Sequence, residues 1–104
     1  MSKKVAFYFD NSRISQVDCR DIESGNPGIG GTEYLFLLIS TLLTKSENNI
    51  DITVFNTSKG RIPECLKVQI FTSINDAYVY ADNHGYDYFV FRPQIGETFE
   101  ERQN

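Results

Sequence analysis

A chain of 104 residues, 40% hydrophobic and 23% charged, is long enough for one globular domain with its own core. Its net charge of −4 argues against a nucleic-acid footprint, which needs a basic patch or stripe, and the adjacent basic pair Lys3–Lys4 sits at the N-terminus. No run approaches the roughly 18 apolar residues of a membrane span, and VAFYF is too short for the apolar core of a signal peptide. Cys19 and Cys65, 46 positions apart, make no metal or redox spacing, and His84 is the single histidine. The expectation is a cytoplasmic protein with free thiols and no metal or cofactor.

In chain order, KVAFYFD (Lys4–Asp10) is a short continuous apolar run ended by a turn residue, as expected of a strand buried on both faces of a parallel sheet. Residues 10–31 form a long polar segment without clear period. Loops of about twenty residues are uncommon in compact domains and are usually functional or disordered. From Thr32 the pattern is helical: Leu35, Leu38, Ile39, Leu42 and Leu43 fall on one face, expected to be the buried one. Phe36 and Leu37 flank that face, Thr32 is the expected N-cap, and Glu33 and Lys45 suit the two ends of the dipole.

IDITVFN (Ile50–Asn56) and KVQIF (Lys67–Phe71) read as the second and third strands, separated by a loop containing Gly60 and Pro63. Ser73 followed by Asp76 resembles a capping box and opens a second helix marked by Ile74, Ala77, Tyr78 and Ala81, with Gly85 beyond its end. YDYFVFR (Tyr86–Arg92) is the fourth strand, stopped by Pro93, and ETFEERQN is a charged tail. The alternation predicts an α/β fold, a Rossmann-like open, mostly parallel sheet of about four strands with flanking helices. The domain is expected over residues 1–95 and the tail over 96–104.

The chemistry concentrates in ESGNPGIGGTEYLFLLIS (Glu23–Ser40), where four glycines fall within Gly25–Gly31 after a strand and before a helix. A helix N-terminus carries about half a positive charge, and glycines let a phosphate or sugar approach the backbone. The spacing matches no standard nucleotide motif. Gly28 and Gly30 start a G-x-G-x-x-G pattern, but Glu33 stands where its third glycine belongs. Gly25, Gly30 and Thr32 match a P-loop, but Gly31 replaces its lysine. A strand order of 3-2-1-4 would put Asp10, Asn11 and Arg92 at the switch point beside Gly30–Gly31, where ligands bind in open α/β sheets. Arg92 there suits a phosphate or carboxylate, or a salt bridge to Asp10.

The acidic residues Asp10, Asp18, Asp21 and Glu23 show no metal-ligand spacing. Cys19, on the same loop, reads as an inert thiol and His84 as a helix-end residue. The tyrosines Tyr78, Tyr80, Tyr86 and Tyr88 read as packing.

NPGIGGTEYLFLLIS after KVAFYF resembles the N-terminal segment of retaining GT-B glycosyltransferases of the bacterial group 1 class. Gly30, Gly31 and Glu33 match that family's Gly-Gly and following glutamate. YDYFVFR matches its fourth strand, with Arg92 where the family often has histidine. The resemblance covers about 95 residues, and the glycine segment is its specific part. It implies part of an acceptor-side domain whose loop Gly28, Gly30, Gly31, Thr32 and Glu33 faces the donor diphosphate and the acceptor. The partners implied are a nucleotide-sugar donor, a sugar or glycan acceptor and a C-terminal donor domain that a chain of this length does not hold. The catalytic residues are not identified, and the isolated chain should be inactive as a transferase. Peripheral membrane association stays open. The alternatives from the residues themselves are a stand-alone module binding a phosphorylated ligand at Gly28–Thr32, and a flavodoxin-like interaction domain without a ligand.

Overall fold

The computed structural model describes residues 3–46 and 49–92; Pro93 and the charged tail lie outside the described residues. The strands are β1 (Lys3–Phe9), β2 (Ile50–Asn56), β3 (Lys67–Ile70) and β4 (Tyr88–Arg92). They form a parallel sheet in the order β3-β2-β1-β4. Helix α1 (Gly31–Lys45) links β1 to β2, and α2 (Ile74–Asn83) links β3 to β4. The expected open α/β architecture is therefore present, with β3 and β4 each slightly shorter than the sequence suggests.

Side chains alternate along the central strands and sort into two cores. Phe9 and Val54 face the α1 side, where they pack with Leu37, Ile14, Cys19, Ile22, Ile29 and Leu66. Ala6, Tyr8 and Phe55 face the α2 side and meet Ile74, Ala77 and Ala81. The Phe55 ring is the hub of the second core, with ring centroids of Phe71, Tyr80 and Tyr86 at 4.7, 5.9 and 5.4 Å. Burying rings of this size on both faces of a four-stranded sheet is the main stabilising term available to so short a chain.

Segment 10–31 is a packed element. Two 3₁₀ turns, Ser12–Ile14 and Ile22–Ser24, place Ile14 and Ile22 in the α1-side core. Cys19 N–H donates to the carbonyl of Arg61 at 2.7 Å, tying the segment to the β2–β3 connection. Its apolar anchors are spaced irregularly, so neither helical nor strand periodicity reveals them.

The expected buried face of α1 is corrected. Leu35, Ile39 and Leu42 are 51%, 44% and 48% exposed, whereas Leu37, Ser40 and Thr41 are buried. The ring of Phe36 sits 5.8 Å from Phe7 and 5.6 Å from Phe9, and this contact goes with a rotation that turns Leu37 onto the sheet. The two buried hydroxyls cause no orphaned groups: Ser40 donates to the Phe36 carbonyl at 2.6 Å and Thr41 to that of Leu37 at 2.7 Å. The N-cap is also corrected, from Thr32 to Gly30, which leaves α1 without a side-chain cap. At α2, Ser73 is the N-cap and accepts from Asp76 N–H, but the Asp76 carboxylate accepts from Thr72 rather than completing a capping box. Gly85, with φ +72°, ends the helix in the left-handed region.

Candidate functional site

β1 leads through α1 to β2 on one side of it, while β4, reached from β3 through α2, pairs along its other side, so the carboxyl ends of β1 and β4 lie next to each other at a reversal of strand order. The crevice at this reversal is an open cavity of about 690 Å³, a volume usual for small-molecule sites. Asp10, Gly28, Gly30, Gly31, Thr32, Glu33 and Arg92 line it, joined by Arg13.

Asp10 follows the last residue of β1. Its Oδ1 accepts hydrogen bonds from Ser12 N–H at 2.8 Å and from the Thr57 hydroxyl at 2.6 Å. Burial disfavours its charge, but these hydrogen bonds outweigh burial and hold the carboxyl below the usual carboxylate range.

The glycine segment is held from within. Asn26 Oδ1 accepts from the N–H groups of Gly28 and Ile29 at 2.9 and 2.8 Å, and its Nδ2 donates to the Ile29 carbonyl at 2.9 Å. Gly28 has φ +105°, a conformation that a side chain would strain. Ile29 then anchors the turn in the α1-side core. Tyr34 N–H closes the first helical turn onto the Gly30 carbonyl at 2.9 Å. The N–H groups of Gly31, Thr32 and Glu33 find no acceptor among the described residues. Glu33 folds back over this helix end, with Oε1 2.8 Å from where a Cβ on Gly30 would stand.

Arg92 pairs in register with Phe9 and so shares the α1 side of the sheet. Neither Arg92 nor Arg13 has an ion-pair partner among the described residues, so the alternative salt bridge between Arg92 and Asp10 does not form. The cavity wall thus carries two carboxylates and two guanidinium groups around an apolar base of Phe9, Ile14, Val17 and Ile29.

Asn11 is corrected out of the cleft. It is buried, its Oδ1 accepts from the N–H groups of Thr57 and Ser58 at 3.1 and 3.0 Å, and its Nδ2 donates to the Ser58 carbonyl at 2.8 Å. It clamps the ends of β1 and β2 together and so fixes the position of Asp10. Arg13 is the wall residue the sequence reading did not place there; its position three residues beyond Asp10, in the first 3₁₀ turn, is the only signal it leaves.

The other candidates resolve as structural. Asp18 makes a two-point contact with Arg20, at 2.9 and 2.8 Å, which holds its carboxyl far below the usual range. Cys19 is buried, and burial together with the charges of Asp18 and Glu33 pushes its thiol up, away from a reactive thiolate. His84 stacks on Tyr80 at 3.8 Å between ring centroids, with Nδ1 2.8 Å from the Tyr80 carbonyl. Among the described residues no group of three or more His, Cys, Asp or Glu side chains could hold a metal ion, and no helix is long and apolar enough to cross a membrane. Comparison with protein-family models, with curated proteins and with solved structures finds no match.

Proposed function

We propose that this chain is the N-terminal, acceptor-side part of a retaining GT-B glycosyltransferase that transfers a sugar from a nucleotide-sugar donor to an acceptor, and that it is inactive alone. The observation that carries this reading is the cavity at the β1/β4 switch point, which the Gly28–Glu33 segment and Arg92 line together. In this reading Gly30 and Gly31 face the donor diphosphate across an interdomain cleft, and Asp10, Arg13 and Arg92 border the acceptor. The surface adds support: Leu35, Ile39 and Leu42 on α1, and Tyr88, Val90 and Phe91 on the edge strand β4, are large apolar residues left exposed. A small sheet with that much uncovered apolar surface suits a piece of a larger assembly better than a self-sufficient module.

The test is the reading frame beyond Asn104, followed by a transfer assay on its full product. A second α/β domain with paired glutamates, and transfer from a nucleotide-sugar that is lost on replacing Gly31 with valine, is the expected result. A stop codon at that point, together with saturable binding of phosphorylated ligands by the 104-residue chain, would overturn the reading in favour of a small phosphate-binding module. A Cβ on Gly31 meets nothing within 4 Å, so loss of function in Gly31→Val would report on the cavity rather than on the fold.

A further inference from the structure

Arg13 and Arg92 both line the cavity, and neither forms an ion pair among the described residues. They come from separate elements, and the backbone of each is fixed. Arg13 sits in the 3₁₀ turn Ser12–Ile14. Asp10 Oδ1 holds that turn by accepting from Ser12 N–H at 2.8 Å, and the buried Ile14 pins it into the α1-side core. Arg92 ends β4 in register with Phe9. The fold therefore brings two like charges to one wall, where they repel each other. Asp10 and Glu33 share that wall without pairing with either arginine.

A guanidinium donates through a planar fork of N–H groups and accepts nothing, so it gains most from the paired oxygens of a carboxylate or phosphate and much less from a neutral hydroxyl. An anionic group set between Arg13 and Arg92 relieves their repulsion and gives both forks an acceptor. The base of the cavity adds a second requirement. Phe9, Ile14, Val17 and Ile29 form an apolar floor, which suits the C–H face of a sugar ring and offers nothing to a bare ion. The volume of about 690 Å³ leaves room for such a ring beside the anionic group.

We infer that the acceptor-side ligand is a sugar that carries an acid group, a carboxylate or a phosphate, and that Arg13 and Arg92 bind that group. The inference rests on the glycosyltransferase reading for its context and deepens it by naming the chemical class of the acceptor. In that context the donor diphosphate keeps its place at Gly30–Gly31, and the acid of the second ligand takes the two arginines.

The experiment is an NMR titration of the chain at constant ionic strength with glucuronate, glucose 6-phosphate, inorganic phosphate and methyl glucoside. Glucuronate or glucose 6-phosphate should shift the side-chain Nε–H resonances of Arg13 and Arg92 saturably at millimolar concentration, and which of the two binds tighter tells carboxylate from phosphate. Methyl glucoside should shift neither resonance, and inorganic phosphate should bind several-fold more weakly than the better sugar acid. Arg13→Gln and Arg92→Gln should each weaken that acid about tenfold, read at the remaining arginine. Lys3→Gln removes the same charge at the first residue of β1 and should leave binding unchanged. An unchanged amide spectrum elsewhere shows that each variant is folded. Methyl glucoside or inorganic phosphate binding as tightly as the better sugar acid overturns the inference. So does the absence of a saturable shift with both sugar acids, or a loss in Lys3→Gln as large as in the arginine variants. In each of these cases the glycosyltransferase reading survives if transfer by the full product is observed. Conversely, a stop codon after Asn104 together with saturable binding of a sugar acid at the arginines sinks that reading and leaves the ligand assignment standing, so the two failures are separable.

Discussion

Replacing Asn11 by alanine should destabilise the fold although Asn11 is a polar residue on a loop. Its side chain is buried, accepts from Thr57 N–H and Ser58 N–H, and donates to the Ser58 carbonyl. An alanine leaves all three backbone groups without that partner. At about 1 kcal/mol for each hydrogen bond and its stranded partner, the loss is about 3 kcal/mol. That is a large share of the roughly 5–15 kcal/mol that holds a single domain together, and it lowers the melting temperature by about 15 °C at this chain length. Urea denaturation of both proteins measures it directly, with the midpoint falling and the slope unchanged. Amide exchange at Thr57 and Ser58 should accelerate more than at residues of α2. A loss below about 1 kcal/mol would show that water replaces the clamp at little cost, and would refute the assignment of Asn11 as the element that positions Asp10.

On α1, Leu37→Ala should cost about 3 kcal/mol in the same assay, while Leu35→Ala should cost well under 1 kcal/mol, because the first side chain is fully buried and the second is 51% exposed. Thr57→Val removes a hydrogen bond that lowers the Asp10 pKa from its ordinary value of 3.8. Asp10 is more acidic folded than unfolded, so its contribution is present above about pH 4 and is lost as pH falls through the lowered folded value. The Asp10 carboxyl resonance should therefore titrate at higher pH in Thr57→Val, and the stability gap between the two proteins should narrow on acidification. Thiol labelling should be complete at exposed Cys65 under native conditions and should reach buried Cys19 only as the protein unfolds.

The strand order and the meeting of Asp10, Gly30–Gly31 and Arg92 could be read from the sequence because they follow from topology. Parallel strands with right-handed crossovers leave few arrangements, and the reversal between β1 and β4 dictates which termini converge. The face of α1 was not legible. Gly31–Lys45 is apolar nearly all round, so periodicity gives no single stripe, and the two buried hydroxyls satisfy themselves within the helix instead of marking a polar face. Asn11 was placed in the cleft and Arg13 was missed for a related reason. They flank one turn within a few residues of each other, and only the path of the β2–β3 connection past Asn11 decides which turns inward to clamp and which borders the cavity.

The glycine segment takes on a different meaning once its N–H groups are followed individually. A phosphate cradle needs several free backbone donors converging on one point. Here Gly28 and Ile29 donate to Asn26, which leaves the donors of Gly31, Thr32 and Glu33 at the start of α1. The Glu33 carboxylate lies beside Gly30 at the start of the same helix. The glycines therefore serve two separate ends. Gly28 supplies a left-handed turn that lets Ile29 reach the core. Gly30 leaves room for the Glu33 carboxylate, which a methyl group at that position would force to shift. Gly28 and Gly31 both adjoin open space, but Gly28 is bound to glycine by its φ of +105°, so among the glycines lining the cavity Gly31 is the one whose missing side chain neither backbone conformation nor close packing requires.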